Sequence, residues 1–124
     1  MARNTVLGAS LYVPATHKDL QAIANGTVLS HLRSVIFCTE DAVSARDVGA
    51  ALKNLAHTLL HMVERTDTER FVRVRNQQVM MQVLQMPGAE KLTGFVIPEA
   101  TRHNFESYFC QVQNTNHLLM PTLE

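Results

Sequence analysis

Two arginines and a set of acids are the side chains in this chain whose types and spacing could do chemistry. Arg73 and Arg75 stand two apart in Phe71-Val72-Arg73-Val74-Arg75-Asn76. On an extended strand that spacing puts both guanidiniums on one face. A guanidinium fork matches the two oxygens of a carboxylate, so the pair suits an acidic small molecule. Glu40 and Asp41 follow the apolar run Val35-Ile36-Phe37-Cys38, where acids could hold a metal-bound water or orient an arginine. Pro98-Glu99 and Glu124 follow two further apolar runs. An arginine turned inward is costly unless an anion or acid meets it. Either a ligand carboxylate or an internal pairing with Glu40 or Asp41 would meet that need. Asp41 has a second reading, as a cap for the helix that begins near Ser44.

Other motifs are weaker. His57 and His61 have the i, i+4 spacing of a helical metal pair, but Thr58 stands where a zinc protease needs glutamate, and they read as neighbours on a helix surface. Leu7-Gly8-Ala9-Ser10 precedes the first strand, on the wrong side for a dinucleotide turn, and there is no G-x-S-x-G elbow. Cys38 and Cys110 are far apart and read as free buried thiols.

The elements that must position these residues alternate. Strands are expected at Ser10–Pro14, Ser34–Cys38, 71–74, Gly94–Ile97 and 117–120, each too uniformly apolar for a strand with one wet face. Between them lie helical patterns at 18–25, closed by Gly26, at 44–64, at 77–85, stopped by Pro87-Gly88, and at 102–113. A β-α-β-α-β-α-β-α-β order means parallel strands joined by helical crossovers. An open doubly wound sheet and a section of an eight-fold barrel both fit. In either, chemistry collects beyond the carboxyl ends of the strands, where the arginines and acids above all fall.

Composition sets the outer limits. The chain has 124 residues, 46% hydrophobic and 18% charged, enough for one domain with a real core. Eleven basic residues balance eleven acidic ones and Trp is absent, so neither nucleic acid nor a membrane surface is expected as a partner. No apolar stretch reaches the ~18 residues of a spanning helix, and no secretory signal opens the chain, so a cytoplasmic location is expected.

Read together, the strand ends resemble the citrate lyase β-subunit and malyl-CoA lyase family of TIM barrels. Leu11-Tyr12-Val13-Pro14-Ala15 is similar to that family's opening strand, and Cys38-Thr39-Glu40-Asp41-Ala42-Val43 to its "D-L-E-D-A-V". Val72-Arg73-Val74 sits where the family has "V-R-V-N", Gly94-Phe95-Val96-Ile97-Pro98 resembles "G-(I/V)-x-x-P-K", and Pro121-Thr122-Leu123-Glu124 resembles "P-(L/I)-I-E". The resemblance covers nearly the whole chain. It implies the N-terminal half of a (β/α)8 barrel and a carbon–carbon lyase or aldolase working through an enolate. It implies that Arg73 holds a substrate carboxylate, that Glu40 and Asp41 support catalysis, and that Glu124 binds Mg²⁺; Arg75 and Pro98 are expected beside Arg73 as substrate-binding residues. A CoA thioester or a keto acid would be the substrate.

Departures from the pattern are informative. Cys38 stands for the usual Asp, Arg75 for Asn, and Glu99 for the Lys after Pro98, which puts acyl-CoA specificity in doubt. They suit a divergent branch, such as the carbon–carbon lyases encoded with tellurite-resistance genes. A full barrel takes roughly 250 residues, so the chain reads as truncated after its fifth strand and inactive alone. A homo-oligomer, or pairing with the missing barrel half, is the expected assembly. The competing expectations are a flavodoxin-like interaction module and a pseudo-enzyme subunit pairing through its sheet edge.

Overall fold

The computed structural model describes residues 10–27, 33–39, 43–64, 68–98 and 102–121. Among these residues five strands alternate with four helices: β1 Ser10–Pro14, α1 Leu20–Ala24, β2 Ser34–Cys38, α2 Val48–His61, β3 Glu69–Arg73, α3 Gln77–Leu84, β4 Gly94–Ile97, α4 Arg102–Val112 and β5 Leu118–Pro121. All four strand pairings are parallel, and the sheet order is β1-β2-β3-β4-β5. Each strand therefore lies beside the one made just before it.

This order decides between the two architectures. A flavodoxin-like sheet reverses direction at a switch point and places its first strand inside. Among the described strands β1 lies at the edge. Side-chain parity agrees. Val13, Val35, Phe37, Val72 and Phe95 form one buried cluster with Leu20 and Ile23 of α1, Leu55 and Leu59 of α2, Met80 and Val83 of α3, and Tyr108 and Val112 of α4. All four helices thus cover the same face of the sheet. On the opposite face Ile36, Phe71 and Val96 form a separate buried cluster without a helical member. A sequential parallel sheet with every helix outside is a section of a (β/α) barrel, not a doubly wound sheet.

The N-terminal ends of the strands are held by one buried arginine. Arg70 points to the helical face and is 3% exposed. Its guanidinium donates to the carbonyls of Ala24 (3.3 Å), Val63 (2.7 Å), Glu64 (3.0 Å) and Lys91 (3.2 Å). These carbonyls come from the end of α1, the segment leaving α2, and the 3-10 turn Ala89–Lys91. Helix C-termini leave carbonyls unsatisfied and carry partial negative charge, so a cation is the fitting cap. Burial lowers the Arg70 pKa from its ordinary value. Lys91 completes the cap, donating from Nζ to Leu59 (3.1 Å) and Met62 (2.8 Å). Gly88, at φ +95°, lies against the same helix end: a Cβ there would stand 2.2 Å from the Leu59 carbonyl oxygen.

Most expected elements hold, with corrections at their ends. Helix 44–64 is a 3-10 turn at Ala45–Asp47 followed by α2, and Ser44 donates to Asp47 Oδ2 at 3.0 Å instead of capping α2. The third strand starts and ends earlier than 71–74, so Arg75 lies beyond it in a bend. Cys38 is buried as expected, but Cys110 is exposed; neither is in a disulfide. His57 and His61 are exposed neighbours on α2, with ring centroids 4.4 Å apart.

Candidate functional site at the carboxyl ends of the strands

Register fixes which side chains share the helix-free face. In parallel strands, partners in register point the same way. One layer is Tyr12, Ile36, Phe71, Gly94 and Leu118; the next, toward the carboxyl ends, is Pro14, Cys38, Arg73, Val96 and Met120. Arg73 is therefore the charged side chain at the carboxyl end of that face among the described residues of these layers. It is half-buried, and its Cζ sits 6.0 Å from the centroid of the Tyr12 ring. The floor beneath it is apolar: Ile36 is 5%, Phe71 4% and Val96 1% exposed. An arginine at such a place meets an anion with little competition from water, which strengthens a charge-assisted pair.

Backbone contacts fix the rim around it. Thr39 donates from its amide (3.1 Å) and its Oγ1 (2.7 Å) to the Arg73 carbonyl, so the ends of β2 and β3 are tied directly at this guanidinium's base. Ala15 donates to Cys38 O at 2.9 Å and Val74 to Val96 O at 3.2 Å, carrying the ladder one step past the strands. Asn54 of α2 donates to the carbonyls of Ala15 and His17, both at 2.8 Å, pinning the β1–α1 turn.

Arg75 does something other than share Arg73's face. The shared-face expectation requires the strand to continue through residue 75, and it stops at Arg73. Arg75 Nη1 donates to Thr39 O (3.0 Å) and Val43 O (2.9 Å). Those carbonyls flank residues 40–42, so the guanidinium brackets the segment that carries the two acids. Asn76 caps α3, its Oδ1 accepting from the Val79 amide at 2.9 Å. Pro98 follows β4, two residues beyond Arg73's partner Val96, and is buried.

Glu40, Asp41, Glu99 and Glu124 lie outside the described residues. No group of three or more His, Cys, Asp or Glu able to hold a metal exists among the described residues. No helix among them is long and apolar enough to cross a membrane.

The sequence reading passed over two residues. Tyr12 was visible only as part of a strand; nothing short of register reveals that it faces Arg73. Arg70 had a signal, since it stands three positions from Arg73 on one strand and must face the other way. A cleft of about 420 Å³ lined by Leu84, Glu90, Gln111 and His117 lies near the amino-terminal end of β5, away from this rim. The His117 ring there is occupied by Ala89 O (2.8 Å) and Thr115 Oγ1 (3.0 Å).

The sheet, the one-sided helices and the charged carboxyl-terminal rim define part of a TIM-barrel protein. The chain belongs to a family of carbon–carbon bond lyases of the TIM-barrel fold, whose model matches residues 1–124. A comparison with curated proteins finds no match.

Proposed function

We propose that the chain provides part of a Mg²⁺-dependent lyase of the citrate lyase β-subunit type, in a branch divergent from it, acting on a carboxylate-bearing substrate. The observation that carries this reading is the position of Arg73 at the carboxyl end of the helix-free face, over an apolar floor. Cleaving the bond between the carbon next to a carbonyl and a hydroxyl-bearing carbon leaves the bonding pair on the first carbon, while the hydroxyl gives its proton to a base and becomes the carbonyl of the second product. That pair delocalises into the adjoining carbonyl as an enolate, and the site must offset its charge. Arg73 holds the substrate carboxylate and lends positive charge. Glu40 and Asp41 orient groups at the same rim, and Arg75 holds both ends of their segment. Glu124 is the proposed Mg²⁺ ligand; the ion, when bound, would add charge stabilisation at the enolate oxygen. The substrate class is a keto acid or a CoA thioester, and the assembly works in the cytoplasm as an oligomer or joined to the rest of a barrel.

The test incubates a panel of 2-oxo acids and short acyl-CoA thioesters with Mg²⁺ and the chain joined to the remainder of its barrel, with cleavage products read by mass spectrometry, beside a Mg²⁺ titration. Arg73→Met should abolish turnover, and Glu124→Gln should weaken Mg²⁺ binding at least tenfold. A metal response identical in Glu124→Gln removes that ligand, and turnover that survives Arg73→Met removes the reading.

A second reading, a non-catalytic subunit that pairs through its sheet edge, draws on the exposed apolar residues of the outer strands: Leu118 (56%) and Met120 (43%) on β5, Leu11 (37%) and Tyr12 (48%) on β1. Exposed apolar edges are templates for association. Light scattering across a concentration series separates a monomer from an edge-paired oligomer.

A further inference from the structure

We infer that Tyr12 is a positioning residue of the carboxylate site, its ring backing the Arg73 guanidinium and setting the direction in which the fork is offered. This rests on the reading of Arg73 as the carboxylate binder and adds a residue that the family resemblance gives no role.

Tyr12 and Arg73 come from β1 and β3, with β2 between them, and from adjacent layers of the same face. The 6.0 Å separation of Cζ from the ring centroid is at the outer limit of cation–π attraction. The two side chains therefore meet across β2. Tyr12 is 48% exposed, so its size is not explained by burial in a core. A ring on one side of a long, many-rotamer side chain restricts its directions before ligand arrives, and a restricted partner binds more tightly because less freedom is lost on binding. The ligand class is a small carboxylate, such as oxalate or a 2-oxo acid.

The chain makes the test convenient. It has no Trp and two tyrosines, Tyr12 and the 5% exposed Tyr108. In a Tyr108→Phe background, Tyr12 is the sole tyrosine emitter. Oxalate is titrated by calorimetry into wild type, Tyr12→Phe, Tyr12→Leu and Arg73→Met, and Tyr12 emission is followed in the Tyr108→Phe protein. The expected results are affinity within about twofold for Tyr12→Phe, a weakening of about two- to tenfold for Tyr12→Leu, loss for Arg73→Met, and an emission change that saturates with oxalate. Circular dichroism melting checks each variant, and Tyr12→Met replaces Tyr12→Leu if the latter does not fold. Tyr12→Leu binding as wild type does, with Arg73→Met losing oxalate, overturns the role of Tyr12 and leaves the carboxylate site standing. Tyr12→Phe binding as poorly as Tyr12→Leu assigns the effect to the hydroxyl and overturns the ring. Full binding by Arg73→Met, or none by wild type, overturns the carboxylate reading itself.

Discussion

Arg70 and Arg73 are three residues apart on one strand and do opposite work. Arg70 faces the helices, is buried, and gives its guanidinium to four main-chain carbonyls. Arg73 faces the helix-free side, is half-buried, and lies over a tyrosine ring. The odd spacing decides which face each takes, and the position along β3 decides which end. The amino-terminal end of the sheet is where helix termini are gathered and capped. The carboxyl-terminal end is where a charged side chain is kept on the helix-free face. In barrels of this kind the first end serves stability and the second serves chemistry, and here a single strand supplies the same residue type to both.

Substitutions at the two ends should separate these roles. Arg70→Met should cost the most, about 3 kcal/mol or more, because four carbonyls lose a charged donor at once. Urea unfolding measures it, and a loss under about 1 kcal/mol would mean that water satisfies those carbonyls equally well. Gly88→Ala comes next, at about 2 to 3 kcal/mol, since it adds both a left-handed backbone penalty and a collision with the Leu59 carbonyl. A melting temperature equal to wild type would show that the turn relaxes freely. Arg75→Met should cost about 1 to 2 kcal/mol and speed amide hydrogen exchange at Val43 and Thr39; unchanged exchange would separate the guanidinium from the segment it brackets. Arg73→Met should cost least, within about 1 kcal/mol, while removing carboxylate binding. A large destabilisation there, comparable to Arg70→Met, would erase the contrast between the two ends.

The strands were legible because their composition is one-sided: Ser34–Cys38 and Gly94–Ile97 are continuous apolar runs, and the structure returns those limits. Helix α2 was legible from its apolar spacing, but its first turn is a 3-10 turn, which periodicity does not distinguish. The fold choice was legible through the family resemblance, which implies the barrel, and not from the order of elements alone. Alternating elements are common to doubly wound sheets and barrels, and the pairing of β1 with β2 alone among the described strands, together with helices on one face, separates them. At the candidate site, Arg73 was found from its place at a strand end. Arg75 was misplaced because the alternation rule was extended past the last strand residue, where the chain bends and the side chain turns back to Thr39 and Val43. The contact between Tyr12 and Arg73 depends on residues 61 positions apart in the sequence (73 − 12) meeting across β2, which no local pattern encodes.

The neighbour-by-neighbour strand order also bears on how the protein is made. Every strand docks on one already synthesised, and each closing segment is a single crossover long, so the entropy of loop closure stays modest at every step. The sheet can grow in the direction of translation, adding one strand and one helix at a time as the polypeptide leaves the ribosome. A nascent chain arrested after β3 should already protect the amides of β2 from exchange, because both of that strand's partners are by then in place.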